Sequence, residues 1–355
     1  MRIACALFSV RGIIPTEVFM KKQNIIPIFF AVDDNYAPYL AAALESLKDN
    51  ATDNNIYEIT ILGEKISPEH VNNILSIGGG NIKISFCDVS EKMPALCSKL
   101  HLRDYYTRAT YYRFFIPEMF PQYNKGLYLD CDIIITRDVA DMYNTQMGSN
   151  LLCAVSDEIV TDIEVFTRYS EVVLSVPRDR YFNAGILVMN LREMRKMHIE
   201  KVFADLLGKK TYRVAQDQDY LNVICYGRVK MLNLLWNKTP MPYYDKNKIP
   251  YIIHFKINFK PWHYDNVVYG EYFWKYAERT PYYSALLKAK AEYTDAEKAR
   301  DAEQYSSLEK LAEKETYEEL LSHSAFFGED FFPIDFCIDT DDDFPSEPLE
   351  ALEGI

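Results

Sequence analysis

Apolar strands alternate with helical segments from Ile25 onward, and this alternation restricts the fold more than any other feature of the chain. Strands that alternate with helices favour a mostly parallel sheet flanked by helices, because each parallel connection needs a long crossover. The strands predicted from apolar runs are 25–33, 57–63, 81–89, 126–135, 151–157, 184–190, 229–235 and 251–255. The helices predicted from apolar periodicity are 36–48, 68–77, 107–116, 198–207, 216–226 and 283–323.

The acidity of the chain is concentrated at its C-terminus. The net charge is −13, but residues 291–355 carry 20 acidic and 4 basic residues, and removing these from the totals of 52 and 39 leaves 32 acids and 35 bases. The body is therefore nearly neutral, and the acidic end would repel nucleic-acid phosphates. We predict a solvated, charged helical segment at 283–325 and an acidic, disordered tail at 326–355.

Residues 1–19 do not match the pattern that follows them, and they lack the layout of a signal peptide. Because Met20-Lys-Lys leads directly into a strand, we predict that translation begins at Met20, that 1–19 is a non-native or disordered extension, and that 20–282 is the main domain. Seven cysteines without regular spacing favour reduced thiols. No apolar run reaches the roughly 18–20 residues of a membrane span. These features predict a cytoplasmic protein, with peripheral contact to the inner face of a membrane left open.

Two carboxylates interrupt the apolar segment 126–135, GLYLDCDIII. On a continuous strand, Asp130 and Asp132 would point to the same face. Two like charges on one face of a buried segment repel each other and lose hydration, so a cation between them would stabilise the pair. A divalent cation such as Mg²⁺ or Mn²⁺ accepts carboxylate oxygens and keeps other positions for phosphate. A strand end that turns into solvent would explain the same two residues without a metal.

Further polar residues fall on the same predicted rim of the sheet. Asp33, Asp132 and Asp157 each close an apolar strand, and ligands of such sheets bind beyond the carboxyl ends of strands. The sequence has no Gly-x-Gly-x-x-Gly and no Gly-Lys-Ser/Thr loop, which disfavours dinucleotide binding and a P-loop. Asp33, Asn35 and Tyr36 suit a nucleoside, with Tyr36 stacking on the base. Capping of the next helix by Asp33 or Asp34 is the simpler alternative.

Three more segments carry candidate residues. Phe182-Asn183-Ala184-Gly185 opens a strand, and its small residues allow a ligand to approach closely. Gln216-Asp217-Gln218-Asp219-Tyr220 places polar groups at the start of a helix, where capping is the alternative explanation. His254 lies near the end of the run YIIHF, and its imidazole would complete a metal site with Asp130 and Asp132. A buried histidine without a ligand is the alternative for this position.

Six segments in this order resemble the motifs of glycosyltransferase family 8: AVDDNY, ATYYRFFIP, GLYLDCDIII, FNAGILVMNL, QDQDYLN and HFKINFKPW. They extend over most of residues 25–262. The resemblance is strongest to the bacterial branch of lipopolysaccharide galactosyl- and glucosyltransferases, and glycogenin is more distant. It implies a GT-A fold, which has a Rossmann-like, mixed but mostly parallel sheet, here followed by the C-terminal helical acidic extension. It also implies retaining transfer of glucose or galactose from a UDP-sugar to a saccharide, a lipid-linked saccharide or another hydroxyl acceptor.

The resemblance also implies roles for the matching residues. Mn²⁺, with Mg²⁺ as the alternative, would be bound by Asp130, Asp132 and His254. The implied catalytic residues are Asp217, Gln218 and Asp219. The implied donor-binding residues are Ala31, Asp33, Asn35, Tyr36, Arg113, Asp130, Cys131, Asp132, Asn183 and Lys260.

One residue departs from the family pattern. The glycine of the motif H-x-x-G-x-x-K-P-W is replaced by Ile257, and a β-branched side chain restricts close approach of the backbone to phosphate. Lys256 and Asn258 are candidates to assist there. This departure motivates an alternative function, a nucleotide-sugar-binding protein with little or no transferase activity. A metal-dependent phosphohydrolase has less support, because the sequence shows no second cluster of metal-ligand residues.

Retention of the anomeric configuration leaves two routes. A double displacement needs a nucleophile, for which Gln218 and Asp219 are the candidates. In a front-side attack the leaving phosphate helps to deprotonate the acceptor hydroxyl, and the enzyme supplies geometry and charge. We favour the front-side route, because an amide is a poor nucleophile and Asp219 is expected to face away from its neighbour on the helix.

Overall fold

The computed structural model describes residues 24–90, 108–241, 248–256 and 258–327. The predictions for residues 1–19, for Ile257 and for residues 328–355 of the acidic tail lie outside these ranges. Within the described ranges, the strands are β1 (Asn24–Ala31), β2 (Asn55–Gly63), β3 (Ile82–Asp88), β4 (Gly126–Leu129), β5 (Ile133–Ile135), β6 (Leu152–Ser156), β7 (Phe182–Met189), β8 (Val229–Met231) and β9 (Ile252–His254).

Seven of these strands form one sheet in the order β3-β2-β1-β4-β7-β6-β8. Every pair is parallel except the two that involve β7, which runs antiparallel to β4 and β6. Strands β5 and β9 form a separate antiparallel pair. The prediction of a mixed, mostly parallel sheet is therefore confirmed. The direction of β7 has a structural consequence, because its N-terminal end lies beside the carboxyl ends of β4 and β6.

Helices flank the sheet. They are α1 (Ala37–Asn50), α2 (Pro68–Leu75), α3 (Ile116–Met119), α4 (Ala140–Tyr143), α5 (Glu158–Asp162), α6 (Glu164–Val172), α7 (Leu191–Lys196), α8 (Ile199–Leu207), α9 (Asp217–Cys225), α10 (Gly270–Ala277), α11 (Tyr283–Glu292) and α12 (Asp295–Phe327). Two 3₁₀ helices span Arg108–Phe114 and Leu234–Asn237. The first of them replaces most of the α-helix predicted at 107–116. The second replaces the end of the strand predicted at 229–235.

The hydrophobic core has two parts that use alternate residues of the central strands. In β1, Ile26, Ile28 and Phe30 belong to the part that also includes α1, whereas Phe29 and Ala31 belong to the part beneath the 3₁₀ helix at 108–114. This alternation is the two-residue period of a strand that is buried on both faces. The sheet is therefore held rigidly from both sides, and its rim is a stable platform for a site.

The segment predicted as one strand at 126–135 is broken at its two carboxylates. Strand β4 ends at Leu129, Asp130 to Asp132 are irregular, and β5 begins at Ile133 in the other sheet. The prediction of a continuous strand was wrong. The argument that strand alternation places Asp130 and Asp132 on the same face was therefore wrong as well. The carboxylates converge for a different reason, because the chain turns between two sheets at this point.

The long helix predicted at 283–323 is interrupted after Glu292. Thr294 and Glu297 form a capping box, in which the Glu297 N–H donates to Thr294 Oγ1 (3.3 Å) and the Thr294 N–H donates to Glu297 Oε2 (2.7 Å). This pattern starts the new helix α12. The prediction that the segment is merely solvated is wrong for one face of α12, since Ala312 and Thr316 are buried. Among the described residues, no helix is both long and apolar enough to cross a bilayer.

Candidate functional site

A cavity of about 200 Å³ opens where the carboxyl ends of β1, β4 and β6 meet the N-terminal end of β7. Eleven of the predicted site residues line it: Ala31, Asp33, Tyr36, Arg113, Asp130, Cys131, Asp132, Asn183, Asp217, Gln218 and His254. Asn35, Asp219 and Lys260 are not among the lining residues. Asp33, Asp132 and Asp157, which were predicted to lie on one rim of the sheet, therefore line the same cavity.

Three potential metal ligands converge at the break between β4 and β5. Ligand atoms of Asp130, Asp132 and His254 all lie within 4.8 Å of one another. His254 Nε2 is 3.2 Å from Asp132 Oδ1 and 3.8 Å from Asp130 Oδ2. The β5–β9 register, which pairs Ile133 with His254, brings the histidine to this point. Two carboxylate oxygens and one imidazole nitrogen form a set that suits Mn²⁺ or Mg²⁺.

Gly185 lies directly against this cluster. A Cβ atom at this position would lie 2.5 Å from His254 Cε1 and nearer still to Asp130 Oδ2, so no other residue fits without moving both side chains. The Asp130 N–H donates to the Gly185 carbonyl at 2.8 Å, which continues the β4–β7 pairing past the end of β4. The sequence predicted that a ligand approaches the chain closely at this glycine. In the structure, the groups that approach the Gly185 backbone are the side chains of Asp130 and His254.

A chain of amides orients His254. Asn237 Nδ2 donates to Asn183 Oδ1 at 2.8 Å, so Asn237 Oδ1 is the atom that faces His254 Nδ1, also at 2.8 Å. His254 Nδ1 must then carry the hydrogen, which leaves the lone pair of the neutral ring on Nε2. That lone pair faces the two carboxylates, an arrangement that a cation stabilises. The donor set and its orientation thus fit a divalent metal. Sequence reasoning did not identify Asn237.

We expect replacement of Asn237 by alanine to lower the affinity for Mn²⁺ by about 10–100-fold, the usual effect of removing a partner that orients a metal ligand. Without the Asn237 oxygen, His254 can rotate or change its tautomer. Calorimetric titration with Mn²⁺ measures the effect. Asn233→Ala is the matched control, because Asn233 caps the same 3₁₀ helix, where its side chain accepts from the Leu235 N–H. Equal affinities for the two variants would contradict the assignment.

Two lysines, Lys260 (buried) and Lys256 (partly buried), neutralise carboxylates at the site. Lys260 Nζ donates to Asp132 Oδ2 at 2.6 Å, and Lys256 Nζ donates to Asp157 Oδ1 at the same distance. Burial alone would raise the pKa of Asp132, but the ammonium of Lys260 outweighs it and holds the pKa well below its usual range. Burial also opposes ionisation of Asp157, and Lys256 lowers the pKa of that carboxyl nevertheless. Both carboxylates are therefore charged at neutral pH.

Arg113 connects the candidate metal ligands to the start of α9. Its Nη2 is 3.3 Å from Asp130 Oδ1, its Nε is 3.1 Å from Asp217 Oδ2, and its guanidinium lies over the ring of Tyr128. Burial raises the pKa of Asp217 to about 7, while Arg113 acts in the opposite direction. The preceding residue, Gln216, is fully buried with a positive φ of 50°. Backbone strain of this kind is common beside functional residues.

Gln218 is fixed by four hydrogen bonds. Its Nε2 donates to Asp157 Oδ2 and Tyr181 Oη, both at 3.1 Å, and its Oε1 accepts from Asn183 Nδ2 and the Ala184 N–H, both at 3.0 Å. In the sequence, Gln218 and Asn183 belong to two separate motifs, Asp157 was predicted only as a strand end on the same rim, and Tyr181 was not identified. The structure joins them into one network that holds the Gln218 amide in a single orientation within the cavity.

Asp219 faces away from the cavity. Tyr181 Oη donates to its Oδ1 at 2.7 Å, and Tyr169 Oη and the Ala215 N–H donate to its Oδ2, each at 2.9 Å. The carboxylate is completely buried. This arrangement stabilises the start of α9 and does not present Asp219 to a ligand.

The residues predicted to bind a nucleoside lie at the end of β1. Asp33 Oδ1 accepts from the Tyr36 N–H at 3.0 Å and so closes the turn before α1, whereas the N-cap of α1 is Tyr36 without a side-chain hydrogen bond, which does not confirm the capping alternative. Tyr36 packs edge-on against Tyr39, which stacks on Trp262 at 4.0 Å. Cys131 donates to the Ala31 carbonyl, and burial raises the pKa of its thiol well above the usual range. Cys131 therefore connects β1 to the carboxylates as an inert thiol.

Comparison with known proteins identifies the family. The model of glycosyl transferase family 8 matches residues 27–266. The chain belongs to glycosyltransferase family 8. This family membership makes it a transferase that takes a nucleotide-sugar donor, a divalent metal and a saccharide acceptor. The GT-A fold expected from the sequence is likewise confirmed.

Individual proteins that this chain resembles cover between 68% and 76% of it. General stress protein A of Bacillus subtilis is 26% identical over 268 residues, which is 68% of this chain and 89% of that protein. The structure of the galactosyltransferase LgtC with donor and acceptor sugar analogues has a TM-score of 0.62 and 27% identity, covering 72% of this chain and 96% of that chain. The bifunctional glycosyltransferase WbbM has a TM-score of 0.67 and 25% identity over 76% of this chain, which spans about half (52%) of WbbM.

Proposed function

We propose that this chain is a retaining hexosyltransferase that moves glucose or galactose from a UDP-sugar to a hydroxyl acceptor, with Mn²⁺ (or Mg²⁺) bound by Asp130, Asp132 and His254. The observation that carries the proposal is the His254 Nε2 lone pair directed at two carboxylates in a cavity at the rim of the sheet. A divalent cation there would neutralise charge on the diphosphate as the glycosyl–phosphate bond breaks.

The donor is proposed to extend across the rim from β1 to α9. Uridine would lie near Ala31, Asp33, Asn35 and Tyr36, where Tyr36 offers a ring supported by the Tyr39–Trp262 stack. The Arg113 guanidinium beside Asp130 would add positive charge near the diphosphate. The ammonium of Lys260 beside Asp132 would do the same. Such fixed charges stabilise a leaving group without reorganising during the reaction.

The sugar is proposed to lie against Asn183, Asp217 and Gln218. Gln218 offers a neutral amide held in one orientation, while Asp219 does not line the cavity and both of its oxygens already accept hydrogen bonds. This geometry favours front-side attack over a double displacement. LgtC is 26% identical to this chain, and one of its solved structures is of an active-site variant in which glutamine is replaced by glutamate. A glycosyl adduct trapped on Gln218 or Asp219 would overturn this preference.

The test is a donor screen. We expect release of UDP from UDP-glucose or UDP-galactose with Mn²⁺, its loss with a chelator, and no release of GDP from GDP-mannose. The anomeric configuration of the product, measured by NMR, tests retention. Binding of UDP-sugars without any release would favour the alternative, a nucleotide-sugar-binding protein. Absence of both binding and release would refute the proposal.

The acceptor and the cellular setting remain part of the proposal. The structural relation to LgtC, a galactosyltransferase solved with sugar analogues, supports a saccharide or lipid-linked saccharide acceptor, as in lipopolysaccharide biosynthesis. We propose a cytoplasmic location for the reaction, because UDP-sugars would be used there with reduced thiols present. The main domain is proposed to cover 20–282, with α12 as an extension that packs against it.

A further inference from the structure

Helix α12, predicted as a solvated extension, contacts the loop that follows His254. Asp301 Oδ2 accepts from Tyr264 Oη at 2.7 Å and from Tyr293 Oη at 2.8 Å, and Asn258 Nδ2 donates to the Asp301 carbonyl. Asn258 belongs to the segment that also carries Lys260. The first turns of α12 are therefore attached to one wall of the cavity.

The C-terminal half of α12 is attached to another wall. Glu315 pairs with Arg213 at 3.1 Å, and Glu319 pairs with Lys210. These two basic residues belong to the loop that leads into α9 and Gln218. Because both ends of the helix are held, its middle has a defined position over the cavity.

The middle of α12 contributes side chains to the cavity itself. Tyr305 and Leu308 line it together with Ile159, Val160 and Phe166 from α5 and α6 and with Val214 from the loop before α9. Tyr305 packs edge-on against Phe166, with ring centroids 6.5 Å apart. This apolar wall adjoins Asp157, which caps α5, and Asp157 bonds to Gln218. The wall is thus next to the proposed sugar position and is distinct from the acidic metal cluster.

We infer that the apolar wall is an acceptor subsite that takes an apolar or aromatic group attached to the acceptor sugar. The inference rests on the proposed function. A sugar hydroxyl placed against Leu308, Phe166 and Val160 would lose water without gaining a hydrogen bond, which is unfavourable. An apolar aglycone would gain the free energy of burial at the same place. Continuity with Gln218 assigns the occupant to the acceptor rather than to the nucleotide.

The experiment compares two glycosides that differ only in the aglycone. We expect p-nitrophenyl β-D-galactopyranoside or its glucose epimer to bind the UDP- and Mn²⁺-loaded protein roughly tenfold or more tightly than the methyl glycoside, as burial of an aromatic ring implies. Calorimetry or ligand-observed NMR measures binding directly, whether or not turnover occurs. Equal binding of aryl and methyl glycosides, or binding of neither, would overturn the subsite.

Variants on α12 provide the internal control. Leu308→Ala should reduce the preference for the aryl glycoside several-fold, and Tyr305→Ala should do the same. Leu321→Ala, at an exposed leucine of the same helix, should leave the preference unchanged. An unchanged preference in both Leu308→Ala and Tyr305→Ala would refute the subsite. Release of UDP without acceptor, measured on the native protein, separates the two proposals, since it reports on donor use alone: it is absent if the proposed function is wrong and persists if only the subsite is wrong.

Discussion

Replacement of Asp132 by asparagine is expected to reduce Mn²⁺-dependent release of UDP by at least about 10²–10³-fold, the range found when a fixed electrostatic contact to a developing negative charge is removed. The change preserves the shape of the side chain and removes its charge. It therefore weakens the metal site and also leaves Lys260 and His254 without their shared carboxylate. Calorimetric titration with Mn²⁺ and an assay of UDP release measure the two consequences separately.

Asp141→Asn is the matched control for this variant. Asp141 is half exposed on the surface of a short helix, and Arg137 is its ion-pair partner among the described residues, so its loss should change neither metal affinity nor turnover measurably. A melting curve of each variant without metal checks that the fold is retained. Full activity of Asp132→Asn with a normal melting curve would contradict the assignment of Asp132 as a metal ligand.

Replacement of Gly185 by alanine is expected to damage the metal site without touching any ligand. The new methyl group would overlap the Asp130 carboxylate and the His254 ring, and these side chains must separate to accept it. We expect metal affinity to fall by about 10–100-fold, as when ligand positions are no longer supported. The free energy of unfolding should fall by about 1–3 kcal/mol from overpacking. Titration with Mn²⁺ and denaturant unfolding are the measurements.

Gly208→Ala is the appropriate comparison for Gly185→Ala. A methyl group at Gly208, which follows α8, would be 3.5 Å from the Ala204 carbonyl oxygen, an ordinary contact distance. We expect this variant to bind metal normally. If Gly185→Ala also bound Mn²⁺ with the affinity of the native protein, the close packing of β7 against the ligands would have no role in the site.

The general architecture was predictable because the apolar pattern of each strand is local. Strands β1 to β3 and helix α2, with Ser67 as its N-cap, lie within a few residues of their predicted positions. The direction of β7 was not predictable in the same way, since a strand buried on both faces has the same pattern whether it runs parallel or antiparallel. The mixed character of the sheet followed from the family resemblance instead.

The candidate ligands were predicted as a group, but part of the reasoning behind them was wrong. Strand alternation suggested that Asp130 and Asp132 share a face, whereas the structure breaks the strand at these residues. The sequence pattern did not identify Asn237, because the role of this residue depends on contacts with His254 and Asn183, which are distant in the sequence. Contacts of this kind are set by tertiary packing and leave no local pattern.

The packing of α12 did leave a signal in the sequence. Tyr305, Leu308, Ala312 and Thr316 are spaced three or four residues apart, which places them on one face of a helix. The strong net charge of the C-terminal region concealed this stripe, because composition averages over all faces. A periodicity test restricted to this segment would have predicted a packed face.

The pairing of β7 with β4 also limits how the length of this chain can vary during evolution. The register places Ile186 opposite Leu129 and continues to Gly185 opposite Asp130, so the glycine meets the ligands only in this alignment. An insertion or deletion of one residue inside β7 would turn each following side chain to the other face and bring a residue with a Cβ atom against Asp130. Length changes in the surface connection before β7 carry no such cost. The architecture therefore constrains the length of β7 more strongly than the length of the connection before it.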